Sequence, residues 1–304
     1  MSAMDLKQLE YFVHVAELGS FTRASTLLNI AQPALSRQVR TLEVELRQSL
    51  FERTGRGVTL TEAGKRLLAH GRGILQQVER ARLDVEASRG VATGRVTVGL
   101  PPSLSRPLTG PLVSAFRARF PAASLGVVEG LTTYALEWLA IGRVDCALVY
   151  NVAPTPAIDV QPLLDEPLYL VSGRARNPQR RRGAAPLALA ELAAHELVMP
   201  SRPHSIRMLV EAALANEGLR ADVALEIESV PAIFDLVQRE DVHAVLTLNA
   251  IHASGAEAEL QVRPIGRPPL KATLGIATSA QRHRGPLIEQ TVELLRELLR
   301  ENWR

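Results

Sequence analysis

The residues best suited to chemistry lie on one face of a short helical pattern near the start of the chain. At 100° per residue, the polar and apolar positions from Gln32 to Leu46 separate onto opposite sides. The polar side presents Gln32, Pro33, Ser36, Arg37 and Arg40. An amide, a hydroxyl and guanidiniums spaced by one turn can reach base edges and phosphates from a helix in the major groove of DNA. The pattern therefore predicts a recognition helix.

The elements that must position this face are predicted by its apolar side and by the segment before it. The apolar side consists of Leu35, Val39, Leu42 and Leu46. Gly19 ends an earlier helix, and Ser20 can cap a second one, where Thr22 is a further candidate DNA contact. The second helix is expected to pack on the recognition helix through Ala24, Leu27 and Leu28. The short link at 29–31 then suits a helix-turn-helix.

Two strand-like runs between Leu50 and Leu60 surround a glycine-containing turn and predict a hairpin, or wing. Arg53 lies in the first run, and Arg56 lies between two glycines at the expected tip. A narrow minor groove attracts arginine electrostatically, so both arginines are candidate DNA contacts.

A single long helix is predicted from Thr61, its N-cap, to about Arg89. Apolar and small residues recur near a 3.5-residue period, at Leu67 or Leu68, Gly71, Ile74 or Leu75, Val78, Ala81 and Val85. Such a seam favours a partner helix. The alternative is a helix that lies on its own domain, and the length of the pattern favours dimerisation over it.

From about residue 91, strands alternate with helices, for example a strand at 95–99, a loop at 101–105, a helix at 108–120 and a later strand at 168–172. This alternation predicts a parallel-rich α/β sheet. Ligands of such sheets gather beyond the carboxyl ends of strands. Segments at these ends supply a candidate ligand set of Ser103, Ser105, Thr132, Thr133, Ser201, Arg202, His204 and Asn249. Hydroxyls, backbone amides and an arginine would favour a small carboxylate. The alternative for each hydroxyl taken singly is that it caps a helix.

Composition narrows the function classes. The 304 residues suffice for two domains with their own cores, and no apolar run approaches a membrane span. Because the amino terminus lacks a secretion-signal pattern, a cytoplasmic protein is expected. The single cysteine, Cys146, lies in an apolar run, which favours core packing over redox sensing and leaves no thiolate metal cluster. Neither a metal nor a cofactor is expected.

Charge supports the DNA interpretation only weakly. Residues 1–90 hold 13 lysines and arginines against 10 acidic residues, whereas residues 91–304 hold 22 of each. The excess agrees with a polyanion partner, although a balance of this size usually means an ordinary solvated surface. The placement of the arginines therefore carries the argument.

Three stretches resemble the LysR-type transcriptional regulators: AELGSFTRASTLLNIAQPALSRQVRTLEVEL, LFERTGRGVTLTEAG and the α/β remainder. The resemblance implies an α-helical winged helix-turn-helix at 1–61, a dimerising linker helix at 62–90 and a two-lobed, periplasmic-binding-protein-like effector domain at 91–304. Lobe I would span about 91–164 and 270–304, and lobe II about 165–269. The segment EGLTTYALEWLAIGRVDCALVYN is similar to the branch with nitrogen-assimilation and aromatic-catabolism regulators.

Two places differ from the family pattern, and one further stretch is rich in arginine. Ala31 stands where the family often has a capping Ser or Thr, which removes about 1 kcal/mol of helix stabilisation. Residues 239–243 replace a glycine-containing turn. The arginine-rich stretch 174–182 is interpreted as a solvated loop, with a second nucleic-acid contact as the alternative.

The resemblance implies a sequence-specific regulator that binds a split palindromic site in double-stranded DNA as a homodimer or homotetramer. It would respond to a small organic anion and contact RNA polymerase if it activates transcription. An effector-independent regulator is the alternative. A solute-binding protein would leave the first ninety residues unexplained. An enzyme would need a catalytic motif, and because GxSxG, HExxH, GxxxxGK and GxGxxG are absent from the sequence, no catalytic residue is expected.

Overall fold

The computed structural model describes residues 4–54, 57–87, 94–173, 185–266, 269–282 and 284–302. The chain divides into two compact units, of which the first contains residues 1–90 with 141–143 and the second contains the remainder. In the described ranges, no helix is both long and apolar enough to cross a membrane.

The first unit consists of three helices, a hairpin and a long helix. In chain order these are α1 (Leu6–Leu18), α2 (Phe21–Leu27), α3 (Gln32–Leu46), β1 (Phe51–Thr54), β2 (Gly57–Leu60) and α4 (Glu62–Ala87). The side chain of Ser20 caps α2, and the Thr61 hydroxyl accepts a hydrogen bond from the Gly64 amide at the start of α4. The predicted helices, hairpin and both caps are therefore confirmed.

The core of this unit forms where α1 meets α3 and α4. Phe12, Leu35 and Leu42 are fully buried, as the apolar face of α3 predicts. Two predicted core positions are wrong, because Leu27 is 62% exposed and Leu46 is 38% exposed. Each is the last residue of its helix.

Helix α4 packs its first half against α1. A Cβ on Gly71 would lie 3.0 Å from Cδ1 of Leu9 and 3.1 Å from Cγ2 of Val13, so glycine allows the two helices to approach closely here. Leu67, Leu68 and Leu75 join the same cluster. Part of the predicted seam is therefore used within the unit, as the alternative interpretation expected, while Ile74 and Val78 remain 37% exposed. The side chain of Val85 lies outside the described residues.

The second unit is an α/β structure. Its first part contains β3 (Gly94–Leu100), α5 (Pro102–Arg119), β4 (Ala123–Glu129), α6 (Thr132–Ile141), β5 (Cys146–Tyr150) and β6 (Ile158–Gly173). Its second part contains α7 (Leu189–Leu192), β7 (Glu196–Met199), α8 (Ser205–Asn216), β8 (Asp222–Glu226), α9 (Val230–Arg239), β9 (His243–Thr247), α10 (Leu248–Ser254), β10 (Leu260–Pro264), β11 (Lys271–Ser279) and α11 (Pro286–Asn302).

Two groups of parallel strands form the two lobes of this unit. Strand β3 pairs in parallel with β4 and β5, and β7 pairs in parallel with β8 and β9. The antiparallel strand β6 joins the groups, since residues 158–167 pair with β11 and residues 168–173 pair with β9 and β10. The sheet order is β4-β3-β5-β11-β6-β9-β7-β8, with β10 also on β6.

Two elements extend beyond their predicted bounds. Only residues 168–172 of β6 were predicted, because Pro162 and Pro167 interrupt the strand pattern before them. Helix α5 begins at Pro102, so the predicted loop 101–105 is the first turn of a helix that buries Leu104 and Leu108 against the sheet. Proline is tolerated in a first turn because its missing N–H has no partner there.

Candidate nucleic-acid interface and effector cleft

The polar face of α3 is open to solvent. Gln32, Pro33, Arg37 and Arg40 are exposed and Ser36 is half-buried. On the opposite face, Leu35, Val39 and Leu42 are at most 1% exposed. The predicted division of the helix into two faces is confirmed, whereas its contact with DNA stays a prediction.

The residues before α3 fix how it is presented. Thr22 is exposed in the first turn of α2, and the Arg23 guanidinium donates to the carbonyl oxygen of Leu18 at the end of α1. Asn29 adopts a positive φ of 51° in the turn. Ala31 provides no side-chain cap for α3, as its residue type predicts. Helix α3 therefore begins with amide groups that no capping side chain satisfies.

The hairpin is held against the end of α1. The Val58 amide donates to the Gly19 carbonyl oxygen over 3.1 Å. A Cβ on Gly57 would lie 2.6 Å from the same oxygen, so this close approach requires glycine. Arg56 lies outside the described residues, as does the side chain of Arg53. Their contact with DNA stays a prediction.

A cleft lies between the two lobes of the second unit, at the carboxyl ends of the parallel strands. It has about 590 Å³ of empty volume, part of it open to solvent. Among the described residues, five helices begin at its wall, namely α5, α6, α8, α9 and α10, each following a strand or the loop after one. The cleft is lined by Pro101, Pro102, Ser103, Leu131, Thr132, Tyr150, Pro200, His204, Ser205, Ile206, Val230, Ile233, Val245, Leu246, Thr247 and Ala250.

Three of the eight residues predicted for a ligand line this cleft, namely Ser103, Thr132 and His204. Thr132 also accepts a hydrogen bond from the Tyr150 amide. The other five are absent from the lining: Ser105, Thr133, Ser201, Arg202 and Asn249. Thr133 instead joins the lobes, because its hydroxyl donates to the Pro203 carbonyl oxygen over 3.3 Å. The rule that ligands gather beyond the carboxyl ends of strands, here called the strand-end rule, thus predicted where the cleft lies but not every side chain of its lining. Ligand binding in the cleft stays a prediction.

Arg202 is committed to an ion-pair network outside the cleft. Its guanidinium lies 2.9 Å from Glu211, and the nearly buried Arg207 donates to Glu211, to Glu226 and to the Pro200 carbonyl oxygen. The pKa of Glu211 lies below its usual value, because these arginines outweigh the burial that acts to raise it. Of the groups on which the expectation of a carboxylate ligand rested, Arg202 is absent from the lining of the cleft, and the carboxylate stays a prediction.

A buried pair lies at the back of the cleft. Oη of Tyr150 lies 3.0 Å from Oε1 of Glu166 and 3.4 Å from Oγ of Ser103. Burial raises the pKa of Glu166, while hydrogen bonds from Asn249, Tyr150 and Thr247 oppose the rise. Burial and the neighbouring Glu166 raise the pKa of Tyr150. Asn249 therefore bonds to Glu166 behind the wall of the cleft. It lies in the first turn of α10, beyond the strand end at which it was predicted.

His204 presents a neutral imidazole. Burial lowers its pKa from 6.5 to about 4, and its Nδ1 has no hydrogen-bond partner among the described residues. The apolar wall around it explains the shift, since a charged ring cannot be solvated there.

Sequence reasoning missed Tyr150, Glu166 and Thr247. Tyr150 and Thr247 end strands β5 and β9, so the strand-end rule could have found them. Glu166 gave no signal, because it lies inside a strand whose pattern prolines interrupt.

Cys146 lies in the core of the sheet with no exposed surface. Burial first, and then the adjacent Asp145 carboxylate, raise the pKa of its thiol. A thiol held neutral in this way is a poor nucleophile, so the predicted packing role is confirmed.

A winged helix-turn-helix unit, together with a two-lobed α/β unit that carries a cleft, defines a bacterial transcriptional regulator with an effector domain. Two family profiles match the sequence: "Bacterial regulatory helix-turn-helix protein, lysR family" over residues 6–65 and "LysR substrate binding domain" over residues 89–300. The chain belongs to the LysR family of transcriptional regulators.

One relative and two solved structures illustrate the similarity in sequence and in fold. The nitrogen assimilation regulatory protein nac of Klebsiella aerogenes is 35% identical over 97% of this chain and 95% of its own length. A full-length OxyR variant from Pseudomonas aeruginosa has the same fold, with a TM-score of 0.70 and 24% identity over 99% and 96% of the two chains. CbnR in complex with its target DNA also has this fold, with a TM-score of 0.69 and 24% identity over 96% of this chain and 99% of the CbnR chain. The relatives are regulators rather than enzymes, and the similarity to nac bears out the nitrogen-assimilation branch.

Proposed function

We propose that this regulator reads DNA with Gln32, Pro33, Ser36, Arg37 and Arg40 of α3, assisted by Thr22, Arg53 and Arg56. The observation that carries the proposal is the exposed polar face of α3, which is backed by the buried residues Leu35, Val39 and Leu42. Arginine pairs with guanine and glutamine with adenine in the major groove, each discriminating against the wrong base by about 1–3 kcal/mol.

The experiment is selection of bound sequences from a random DNA pool by the full chain and by single variants. Gln32→Ala and Arg37→Ala should relax the base preference at defined positions of the selected motif. Gln38→Ala is the matched control, since its side chain is exposed on α3 and, at 100° per residue, lies off the proposed face. An unchanged motif in both test variants would contradict the assignment.

We assign to each part of the chain the role that the LysR family implies. We assign residues 1–61 to DNA binding, 62–90 to a linker that dimerises and 91–304 to effector binding, with lobe I at about 91–164 and 270–304 and lobe II at about 165–269. Two-fold symmetry would make the operator a split palindrome. A bacterial regulator that binds genomic DNA works in the cytoplasm, and an activator would also contact RNA polymerase there.

The proposed effector site is the cleft, with Ser103, Thr132 and His204 as its predicted polar contacts. A ligand regulates only if it binds the two lobe arrangements with different affinity. DNA footprinting of the full chain with and without bound ligand tests this. An unchanged footprint with a ligand bound in the cleft would favour the effector-independent alternative.

A further inference from the structure

The residues that line the cleft carry no permanent charge. Its walls are mainly apolar, and they include Pro101, Leu131, Val230, Ile233, Val245 and Ala250. The polar groups of the lining are hydroxyls and one imidazole, and the lining contains no Lys, Arg, Asp or Glu among the described residues. An anion placed here would lose its hydration without gaining a cation, and only the amides at the helix starts would be available to it.

The nearest arginines are engaged elsewhere. Arg202 and Arg207 share Glu211, and Arg207 also pairs with Glu226. Arg106 donates to the Ala253 carbonyl oxygen across the lobes. Moving any of these guanidiniums to a ligand would break its present hydrogen bonds.

The carboxyl group behind the wall of the cleft can carry only negative charge and so offers nothing to an anion. The carboxyl group of Glu166 is 3.0 Å from the Tyr150 phenol, whose ring lines the cleft. The phenol donates its hydrogen bond to Glu166, and the hydroxyls of Ser103 and Thr247 bond to the phenol oxygen, so this oxygen is already engaged. On the lobe II side, Nδ1 of His204 is a hydrogen-bonding atom that is buried and without a partner among the described residues.

We infer that the cleft binds an uncharged, mainly apolar small molecule with a hydrogen-bond donor such as an amide or hydroxyl, and that it discriminates against carboxylates. The donor is recognised by Nδ1 of His204, which has no hydrogen-bond partner among the described residues. This inference rests on the proposed function, because it concerns the chemistry of the proposed effector site.

The test compares probes of the same shape but different charge. Benzamide and cyclohexanecarboxamide are paired with benzoate and cyclohexanecarboxylate, and binding to the full chain is measured by ligand-observed NMR at neutral pH. We expect each amide to bind at least about tenfold more tightly than its carboxylate, a difference of about 1.4 kcal/mol. Glu166→Gln should strengthen carboxylate binding, because it removes a group behind the wall that can carry only negative charge.

A pair of variants locates the binding. Val230 is half-buried at the start of α9, so Val230→Phe should fill the cleft and abolish amide binding. Leu225→Phe is the matched control, because Leu225 is 38% exposed on β8 and does not line the cleft. Equal amide binding by both variants would overturn the inference.

The outcomes separate this inference from the proposed function. Carboxylates that bind more tightly than amides and change the DNA footprint would overturn the ligand class and keep the effector site. Amides that bind in the cleft without changing the footprint would uphold the ligand class and overturn regulation by the cleft. Absence of binding by both amides at millimolar concentration would overturn the ligand class.

Discussion

The phenol oxygen of Tyr150 lies 3.0 Å from Oε1 of Glu166, and both residues are no more than 5% exposed. Tyr150 ends β5 in the first lobe, whereas Glu166 lies where β6 passes from its pairing with β11 to its pairing with β9. The hydrogen bond therefore connects the wall of the cleft to the strand that the two lobes share.

Glu166 should make the stability of the protein depend on pH. Its pKa is raised by burial, so the folded chain binds a proton more tightly than the unfolded chain, and the free energy of unfolding falls as pH rises through the raised pKa. Glu166→Gln should remove this loss, so the variant gains stability relative to the native chain at pH 8 compared with pH 5. Thermal unfolding across this range measures it. The exposed Glu129→Gln is the control, and parallel pH curves for Glu166→Gln and the native chain would contradict the prediction.

His204 should have the opposite pH dependence. Its pKa is about 4 in the folded chain against 6.5 ordinarily, so the unfolded chain binds the proton first and stability is lost as pH falls from 6.5 to 4. The loss is at most about 3 kcal/mol. His204→Gln should weaken this acid sensitivity, as measured by urea unfolding at several pH values. His252→Gln, at a side chain that is 56% exposed, should retain it.

The missing cap of α3 should be repairable. Ala31 has extended backbone dihedrals, φ −66° and ψ 129°, which suit an N-cap residue. Ala31→Ser should stabilise α3 by about 1 kcal/mol, because the hydroxyl can accept a hydrogen bond from an amide of the first turn. Hydrogen exchange of the α3 amides should slow accordingly. Ala34→Ser makes the same exchange within the helix and should give no such protection.

The exposed apolar residues of α4 should hold the oligomer together. Ile74→Asp combined with Val78→Asp should produce monomers that bind DNA half-sites weakly, because two charges would be buried in the helix seam. Sedimentation measures the state of assembly. Ala69→Asp, about 140° around the helix from Ile74, is the control. Intact oligomers in the double variant would place the interface elsewhere, with the effector domains as the next candidate.

Cys146 should be inert in the native chain. Since its thiol is fully buried and its pKa is raised, peroxide at concentrations that oxidise exposed thiols should leave it unmodified. Mass spectrometry before and after unfolding in guanidinium measures this. Rapid oxidation of the folded chain would contradict the burial of the thiol.

Periodicity alone predicted the parts of the fold in which one face of an element is buried. Leu35 and Val39 are an example, because helical spacing determines which residues lie opposite Gln32 and Arg37. Helix ends were predicted less well, since the burial of Leu27 depends on whether a neighbouring helix extends far enough to cover it.

The chemistry of the cleft was predicted less completely than its position. The end of each parallel strand follows from the alternation of elements, so Ser103 and Thr132 could be placed at the cleft. The partner of a long side chain does not follow from sequence spacing. Arg202 pairs with Glu211 through the geometry of α8, and this pairing changes the expected ligand.

Strand β6 has a mechanical consequence for signalling. A single run of sixteen residues is hydrogen-bonded to β11 at one end and to β9 and β10 at the other. Its backbone therefore belongs to both lobes. Because its pairing changes after Pro167, rotation of one lobe against the other would twist the strand near Glu166 and Pro167. The Tyr150–Glu166 hydrogen bond lies at this point of the strand. A molecule that changed this hydrogen bond would therefore act where the strand twists, and a small displacement of Glu166 would become a change in the angle between the lobes.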